Sequence, residues 1–324
     1  MNYKMIKVGI IGGAGYTAGE LIRLLINHPN VEISSVQSSS HSNEYITKVH
    51  RDLLGETELK FTDKLNTDID VVFLCGGHGK SQTSIEQNNI PDSVKIIDLS
   101  NDFRLKNNSQ GFIYGLPENN INEIANTNKI ANPGCFATSI ELAFLPLAKN
   151  NLITNELHVN AITGSTGAGQ KPTPTSHFSW KNNNVSVYKA FTHQHLAEIE
   201  ETLFTKPNKN EEITFIPVRG NFSRGIMAMC YTETNLNINE LQKLYKDFYK
   251  DAPFTVISDE NPDIKQVVNT NKCILYLQKH KNKVFIISVI DNLLKGASGQ
   301  AVQNMNIMFG LNQTEGLKLK PVAF

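Results

Sequence analysis

The first third of the chain alternates between short apolar runs and amphipathic runs. Between the first two apolar runs, a leucine pattern of helical spacing covers 17–27, and Pro29 ends it. Buried strands are predicted from four apolar runs, at 6–11, 31–37, 68–75 and 94–100. Strand and helix therefore alternate, and this order predicts an α/β domain with a doubly wound parallel sheet over about 1–135.

The pattern changes after about residue 150, where strands dominate. They are predicted at 158–163, 212–218, 225–233, 272–280 and 283–290. The last two are separated by a hairpin-like turn, "KHKN", which favours antiparallel pairing. Helices are predicted at 195–204, 238–250 and 296–311, the last of which is positioned to return to the first domain. We therefore expect a first domain of 1–135 plus 296–324 and an α+β second domain of 136–295.

Composition and charge limit the classes of function. The 324 residues include 40% hydrophobic and 19% charged residues, as in globular proteins, and Lys plus Arg equals Asp plus Glu at 31 each. A net charge of zero provides no field that would attract nucleic acid or an anionic membrane surface. No apolar run approaches the roughly 20 residues that span a bilayer, and the first residues lack the features of a signal peptide. A cytoplasmic protein with no nucleic-acid or membrane partner is the expectation.

A glycine turn follows the first predicted strand. In "KVGIIGGAGYTAGEL", Gly9, Gly12 and Gly15 are spaced three apart, between a buried strand and an amphipathic helix. Glycines allow a backbone to approach a pyrophosphate closely, and the positive end of the following helix stabilises its charge. The turn therefore predicts dinucleotide binding, although the same glycines would also suit a simple tight turn between strand and helix.

The end of the second predicted strand carries information about the dinucleotide. NAD sites usually place an acidic residue there, about 20 residues after the glycines, to bind the ribose hydroxyls. This chain has "VQSSSHSNEY" instead, with Ser38, Ser39 and Ser40 and no acid. Hydroxyl groups would accept a 2′-phosphate that a carboxylate would repel, which favours NADP. The alternative is an exposed serine-rich loop.

The four cysteines show no C-x-x-C spacing, and no Cys/His cluster has the spacing of a zinc site, so no metal is expected. Cys75, Cys230 and Cys273 lie in or beside apolar runs and are interpreted as buried small hydrophobic residues. Cys135 differs, because "NPGC" places it on a turn at the start of an apolar helix. A helix N-terminus favours the thiolate form, so Cys135 is a candidate nucleophile, with a buried helix-start cysteine as the alternative.

A second candidate group is the segment "YKAFTHQHLAEIEETL". His193 and His195 precede a predicted helix, and Glu198 follows three positions after His195, which favours a shared helix face. A histidine close to a cysteine can take its proton and later return one to the substrate. Either histidine would alternatively serve only as a surface helix cap.

Anion-binding candidates lie in three further segments. Arg104 in "IDLSNDFRL" follows a strand at the carboxyl edge of the sheet and would bind a phosphate in two-pronged fashion, or pair with Asp102. The loop "TGSTGAGQKPT" at 163–173 would wrap a phosphate with backbone N–H groups, or simply be mobile. Arg224 in "NFSRGIM" is a candidate for a substrate carboxylate, or a domain-interface cation.

Taken together, these motifs resemble the N-acetyl-gamma-glutamyl-phosphate reductase family of arginine biosynthesis. The matching segments run in order from residue 9 to residue 306, and they are "GIIGGAGYTAGEL", "IDLSNDFR", "YGLPE", "NPGCFAT", "GSTGAGQK", "HQHLAEI", "TNKC" and "DNLLKGASGQAVQNMN". The resemblance implies a Rossmann-type domain completed by the C-terminal helix and an α+β catalytic and dimerisation domain. It also implies NADPH-dependent reduction of an acyl phosphate to an aldehyde through a thioester on Cys135, with release of inorganic phosphate.

The resemblance and the patterns above give one set of expected site residues. The catalytic candidates are Cys135, His195, His193 and Glu198. The NADP-binding candidates are Gly12, Gly13, Ala14, Gly15, Tyr16, Thr17, Ser38, Ser39, Ser40, Gly76 and Asn292. The candidates for substrate and phosphate are Arg104, Asn132, Ser165, Gly167 and Arg224.

The expected substrate is N-acetyl-gamma-glutamyl phosphate, and the expected assembly is a homodimer or homotetramer. The alternatives are a related reductase of aspartyl, N-succinyl-glutamyl or carrier-linked acyl phosphates, and a non-catalytic NADP-binding sensor. The sequence leaves open the acyl group on the substrate, the number of subunits and which of His193 and His195 transfers the proton.

Overall fold

The computed structural model describes residues 5–204 and 212–322, and within them the chain forms the following regular elements. The strands are β1 Ile6–Ile11, β2 Val31–Gln37, β3 Phe61–Thr62, β4 Val71–Leu74, β5 Lys95–Asp98, β6 Ile113–Tyr114, β7 Lys129–Ala131, β8 Leu157–Thr163, β9 Ser186–Val187, β10 Ile213–Arg219, β11 Ile226–Glu233, β12 Thr255–Ser258, β13 Cys273–His280 and β14 Lys283–Ile290. The helices are α1 Tyr16–Leu25, α2 Ser81–Gln87, α3 Pro117–Ala125, α4 Cys135–Lys149, α5 Phe178–Lys181, α6 Leu196–Leu203, α7 Ile238–Phe248 and α8 Gly299–Met308.

The chain divides into two compact units. The first comprises residues up to Pro133 together with Ala297–Lys318, and the second comprises Gly134–Gly296 together with the residues that follow Lys318. Each unit is built on its own seven-stranded sheet.

The sheet of the first unit is parallel throughout and has the order β3-β2-β1-β4-β5-β7-β6. The central strands β1 and β4 are almost fully buried, which explains their continuous apolar sequences. The order in which successive strands are added to the sheet reverses between β1 and β4, which is where ligands bind in doubly wound folds. The predicted α/β fold with a doubly wound parallel sheet is confirmed.

Helices α1 and α8 both belong to the first unit. Helix α1 buries the leucine face that the sequence indicated. Helix α8 is buried along its whole length, and two side-chain bonds attach its segment to this unit. Ser298 Oγ donates to the Thr17 carbonyl at 2.8 Å, and His28 Nε2 lies 3.0 Å from Asn306 Oδ1.

The sheet of the second unit is mixed, with the order β12-β13-β14-β11-β8-β10-β9. Strands β13 and β14 pair antiparallel, which confirms the predicted hairpin. Helix α4 packs on this sheet and is buried over most of its length. Tyr245 and Tyr249 donate their hydroxyls to the α4 carbonyls of Ala143 and Leu142, both at 2.6 Å, so α7 holds α4 from a second side.

Some sequence-based expectations differ from the structure in detail. The run at 68–75 forms a strand only over Val71–Leu74. The helix predicted at 296–311 begins as a π-helical turn, Leu294–Ser298, and continues as α8. The interpretation of Cys75 as buried was wrong in extent, because it lies beyond the end of β4 and keeps part of its surface exposed, whereas Cys230 and Cys273 are fully buried as predicted. None of the helices in the described ranges has the length and apolar character needed to cross a membrane.

Candidate active site

Cys135 is the first residue of α4. Gly134 precedes it in extended conformation, and its φ of −70° and ψ of 152° turn the chain into the helix. The thiol is partly exposed, whereas most of the following helix is buried. The N–H groups at a helix start and the helix dipole favour an anion there. The local structure therefore suits a reactive thiolate.

Gly296 lies directly against Cys135 in the same unit. A Cβ at position 296 would come within 2.8 Å of the Cys135 Cβ and 3.2 Å of its Cα. Real carbon atoms do not approach so closely without displacement. Gly296 therefore makes room for the thiol, a role that the sequence analysis missed because "KGAS" gives no sign of which side chain it faces.

Glu198 connects the start of α4 with the histidine segment. Its Oε2 accepts the Gly134 N–H at 3.0 Å, and its Oε1 lies 3.8 Å from His195 Nε2. Both side chains are buried, with 3% of Glu198 and 6% of His195 exposed. A buried carboxylate at this distance restrains the orientation of the imidazole of His195. The predicted pairing of His195 with Glu198 is therefore present.

His193 occupies a different environment from His195. The His195 backbone N–H donates to His193 Nδ1 at 3.2 Å, and the two rings lie 4.6 Å apart, edge to face. The Phe136 ring contacts the imidazoles of both. Burial, with a smaller contribution from the positive charge of Lys189, lowers the pKa of His193 to about 4. His193 is therefore a neutral ring at neutral pH, and a weaker base than an ordinary histidine.

Tyr188 also belongs to this neighbourhood, although the sequence analysis did not select it. Its ring lies 5.9 Å from the His193 ring, and the guanidinium carbon of Arg219 lies 4.8 Å from its ring centre. Burial and the charge of the Cys135 thiolate raise the pKa of Tyr188, while the charge of Arg219 lowers it. Tyr188 thus lies between His193 and Arg219.

The predicted loop "TGSTGAGQ" forms a short helical turn, Ser165–Ala168, after β8. Asn292 holds it in place, because its Nδ2 donates to Thr166 Oγ1 at 3.0 Å and its Oδ1 accepts the Gly225 N–H at 2.8 Å. The Ser165 N–H donates to the Phe222 carbonyl at 2.9 Å. Ser165, Gly167 and Asn292 are therefore neighbours in the second unit, where the amide of Asn292 bonds to protein groups through both polar atoms.

Arg224 forms a two-pronged ion pair with Asp291. Its Nε and Nη2 lie 3.1 Å and 3.0 Å from Asp291 Oδ2. Asp291 is fully buried and also accepts the backbone N–H groups of Asn269 and Leu293. The charge of Arg224 is therefore largely balanced within the protein, and its predicted contact with a substrate carboxylate stays a prediction.

The glycine turn of the first unit requires glycine at two positions. Gly12 has a φ of +80°, and a Cβ there would lie 2.7 Å from the Cys75 carbonyl carbon and the Gly76 nitrogen. A Cβ on Gly13 would lie 2.3 Å from Val36 Cγ1. The turn consequently packs closely against the end of β4, at the point where the sheet order reverses.

A dinucleotide fits this turn on structural grounds. Gly15 precedes α1, the first turn of α1 has no acidic residue, and the N–H groups of Tyr16 and Thr17 lie at the helix start. Such N–H groups bind pyrophosphate. Ser38 Oγ lies 3.4 Å from Ser40 Oγ beyond the end of β2, and Ser39 beside them is exposed. Ala14 and Gly76 line the same turns, so the predicted cofactor residues of this unit lie at one edge of the sheet.

Arg104 and Asn132 are buried at the carboxyl ends of β5 and β7 in the first unit. Arg104 Nε donates to the Asn132 carbonyl at 2.9 Å, and its Nη2 donates to the Leu99 carbonyl at 3.3 Å. Asn132 Nδ2 donates to the Ala297 carbonyl at 3.0 Å, and its Oδ1 accepts from Asn304 at 3.1 Å. Both side chains therefore brace the chain just before Pro133, and their predicted role in phosphate binding stays a prediction.

Asp102 does not pair with Arg104 as the alternative expectation had it. Its carboxylate accepts the backbone N–H groups of Gly79 and Ser81 at 2.6 and 2.9 Å, at the start of α2. Residues 5–204 and 212–322 contain no group of three His, Cys, Asp or Glu side chains arranged to hold a metal ion.

Comparison with known proteins identifies the family. Residues 7–127 match the family model described as the semialdehyde dehydrogenase NAD binding domain, and residues 135–292 match the one described as the semialdehyde dehydrogenase dimerisation domain. N-acetyl-gamma-glutamyl-phosphate reductase of Azobacteroides pseudotrichonymphae is 62% identical, over 99% of this chain and 100% of that protein. The enzyme of the same name from Parabacteroides distasonis is 58% identical over the same shares. The chain belongs to the N-acetyl-gamma-glutamyl-phosphate reductase family.

Solved structures of aspartate semialdehyde dehydrogenases have a similar fold. Aspartate semialdehyde dehydrogenase II of Vibrio cholerae superimposes with a TM-score of 0.72 at 17% identity, covering 95% of this chain and 99% of that one. A probable aspartate-semialdehyde dehydrogenase of Pseudomonas aeruginosa gives 0.73 at 13%, covering 94% and 99%. At these identities the likeness concerns the fold. The family resemblance noted in the sequence is confirmed, and the chain is an oxidoreductase of this family.

The principal chemical groups of this reductase family member can be recognised in its sequence, whereas the residues that support them cannot. In the second unit, Glu198 links the helix start at Cys135 with His195, and His193 lies against His195, while the catalytic roles of these residues stay predictions. Gly296, Tyr188 and Arg219 were missed. A tyrosine and an arginine 31 positions apart carry no common sequence signal, and only the pairing of β9 with β10 brings them together.

Proposed function

We propose that the protein reduces N-acetyl-gamma-glutamyl phosphate to N-acetylglutamate 5-semialdehyde and inorganic phosphate, with NADPH as the reductant, in arginine biosynthesis. The observation that carries this proposal is the contact of one carboxylate, Glu198, with both the helix start that bears Cys135 and the imidazole of His195. A nucleophile and an oriented base held together in this way suit acyl transfer through a covalent intermediate.

The Cys135 thiolate adds to the acyl carbon of the substrate in this mechanism. The bond between that carbon and the phosphate oxygen breaks, phosphate leaves with the bonding electrons, and a thioester remains on Cys135. Backbone N–H groups in the first turn of α4 are available to stabilise the oxyanion, an effect worth about 3 kcal/mol in comparable sites. The partial exposure of the thiol is consistent with direct attack.

NADP(H) would be held by the first unit, through Gly12, Gly13, Ala14 and Gly15, the N–H groups of Tyr16 and Thr17, and Gly76. The serines at 38–40 suit a 2′-phosphate because the strand end carries hydroxyls and no carboxylate. When bound, the cofactor supplies the hydride that reduces the thioester. The resulting thiohemiacetal collapses with loss of the Cys135 thiolate and gives the aldehyde.

His195 is the preferred proton carrier. Glu198 lies beside its ring and orients it, whereas the pKa of His193 is lowered to about 4 by burial and Lys189. A histidine whose pKa is lowered to about 4 is poorly matched to proton transfer near neutral pH, which leaves His195 as the better candidate. His193 instead accepts the His195 backbone N–H and supports the position of its neighbour.

The remaining expectations belong to this proposal. Arg104, Asn132, Ser165, Gly167 and Arg224 are proposed to serve substrate or phosphate binding, and Asn292 to face the cofactor. We also propose a cytoplasmic homodimer or homotetramer, with assembly supported by the description of the matched dimerisation domain. A substrate with a different acyl group is the second candidate, and direct assay separates the two.

Replacement of Cys135 by serine tests the proposal. The wild type should reduce NADP in the presence of N-acetylglutamate semialdehyde and phosphate, and Cys135→Ser should lose this activity by at least about 10³-fold, since serine is a far poorer nucleophile at neutral pH. NADPH should still raise the melting temperature of the variant. Cys230→Ala, which removes a fully buried thiol of β11, is the matched control and should stay active.

Two results would contradict the proposal. Comparable turnover by Cys135→Ser would remove the nucleophilic role. A wild type that binds NADP but oxidises none of the N-acetylglutamate, N-succinylglutamate and aspartate semialdehydes, and whose Cys135 does not react with iodoacetamide, would favour the sensor alternative.

A further inference from the structure

The positive charge of Arg219 is not balanced by any carboxylate in the part of the chain that the structure describes. Arg219 ends β10, is half-buried, and its guanidinium lies over the Tyr188 ring. Its Nη1 donates to Thr175 Oγ1 at 3.2 Å. Within residues 5–204 and 212–322, no acidic side chain lies within ion-pair distance of Arg219. Such an arginine keeps most of its N–H donors for another partner.

Lys181 adds a second positive charge beside Arg219. It ends α5, and its Nζ donates to the Phe222 carbonyl at 3.3 Å. Burial lowers the pKa of Lys181, and so does the positive charge of Arg219. The Phe222 carbonyl that Lys181 binds belongs to the residue three positions after Arg219, which also brings the two cations near each other. Holding like charges together costs free energy in the protein alone, and a bound anion would offset that cost.

The position of this pair relates it to the reactive thiol. Tyr188 contacts the guanidinium of Arg219, and its ring lies 5.9 Å from that of His193, which packs against Phe136 next to Cys135. The antiparallel pairing of Arg219 with Ser186 in β9 fixes this arrangement, because Tyr188 follows β9 directly. An anion held by Arg219 would consequently lie near the acyl chain that Cys135 attacks.

Arg224, the arginine that the sequence favoured for a substrate carboxylate, is less suited to the task. Its guanidinium is already engaged by the buried Asp291 through two nitrogen atoms. Recruiting it would require a carboxylate to compete with a buried partner that also accepts two backbone N–H groups. Arg219 has no such competitor among the described residues.

We propose that Arg219, assisted by Lys181, binds a carboxylate of the substrate and thereby contributes to substrate specificity. This inference rests on the proposed function, since it assigns a subsite for the same substrate. The planar fork of a guanidinium matches a carboxylate in two-pronged geometry, and stacking on Tyr188 sets the plane of that fork. Two carboxylates have the required chemistry, namely the α-carboxylate of the glutamyl part and a terminal carboxylate on the N-acyl group.

The test compares Arg219→Gln with wild type on three aldehydes, in the presence of NADP and phosphate. N-acetylglutamate semialdehyde carries the α-carboxylate alone, N-succinylglutamate semialdehyde carries two carboxylates, and 4-acetamidobutanal carries none. Arg219→Gln should raise KM about 10- to 100-fold for an aldehyde whose carboxylate it binds, with kcat within a few-fold of wild type. Lys243→Gln, which removes an exposed cation on α7, is the charge-matched control.

The pattern of losses identifies the carboxylate. A loss with both glutamate-derived aldehydes, but not with 4-acetamidobutanal, supports binding of the α-carboxylate. A loss confined to the N-succinyl aldehyde supports binding of the acyl carboxylate. Lys181→Gln should change KM in the same direction by a smaller factor, and it keeps the test valid if Arg219→Gln does not fold.

Three results would overturn the inference. These are unchanged KM values in both variants, an equal loss with all three aldehydes, and a change restricted to the KM for phosphate. A wild type inactive on every aldehyde would instead refute the proposed function. The inference and the proposed function can therefore fail separately.

Discussion

Gly296→Ala is the most direct test of how the protein positions its thiol. The new methyl carbon would lie 2.8 Å from the Cys135 Cβ and 3.2 Å from its Cα, when carbon atoms pack at about 3.5–4.0 Å. Relief requires a displacement of roughly 0.7–1.2 Å, which is the difference between 2.8 Å and the ordinary packing distance of about 3.5–4.0 Å. Because one of the two obstructing atoms is backbone, a change of rotamer cannot provide it. The start of α4 or the turn at 294–298 must move instead.

The expected effect on activity follows from this displacement. A misplacement of about 1 Å in a reacting group costs on the order of 10²-fold in rate. Overpacking of this kind also costs about 1–3 kcal/mol of unfolding free energy. We therefore expect kcat/KM with N-acetylglutamate semialdehyde, NADP and phosphate to fall about 100-fold. The iodoacetamide labelling rate of Cys135 should change too, since it reports on the thiol without requiring turnover.

Gly9→Ala supplies a matched control. A Cβ at position 9 would also meet atoms at 2.8 Å, but these are the Cδ1 atoms of Ile69 and Leu65, the far ends of flexible side chains in the first unit. We expect Gly9→Ala to retain the wild-type labelling rate and most of the activity. If Gly296→Ala were as active and as reactive toward iodoacetamide as wild type, the steric account of Cys135 positioning would be refuted.

Two further predictions concern stability. Because burial lowers the pKa of His193 to about 4, folding favours its neutral form, and the unfolding free energy should decline as pH falls from about 6.5 toward 4. Over this range, the melting temperature of His193→Gln should depend less steeply on pH than that of the wild type. An unchanged slope would contradict the assignment. Asp291→Asn should lower the unfolding free energy by about 3–5 kcal/mol, because it leaves Arg224 without its buried counter-charge. Asp259→Asn, in the exposed pair with Lys246, is the control and should cost under about 1 kcal/mol. Equal denaturant midpoints for the two variants would contradict this prediction.

The fold could be predicted because its signals are local. The continuous apolar sequence of β1 and the leucine face of α1 each reflect a burial pattern that one element imposes on its own residues. Short strands such as β3 and β9, with two residues each, could not be predicted, because their formation depends on partners far along the chain. The π-helical turn before α8 also has no sequence signal of its own.

The residues of the candidate site also divide into those with a local sequence signal and those whose role depends on tertiary contacts. Cys135 and the histidines stand in motifs whose chemistry is visible in the residues themselves, so they were found. The charge balance of an arginine is a tertiary property, and the sequence could not distinguish Arg224, which Asp291 pairs, from Arg219, which no described carboxylate pairs. The same holds for Arg104, whose guanidinium bonds to two backbone carbonyls.

Glu198 connects the helix start at Cys135 with the imidazole of His195. A helix start that carries a thiolate would normally repel a nearby carboxylate, yet the carboxylate of Glu198 bonds to the Gly134 N–H, one residue before Cys135. The cost is offset because that N–H is a donor the helix leaves unused and because the other carboxylate oxygen faces His195. One buried side chain thereby contacts both the helix start that bears the candidate nucleophile and the imidazole of its proposed base.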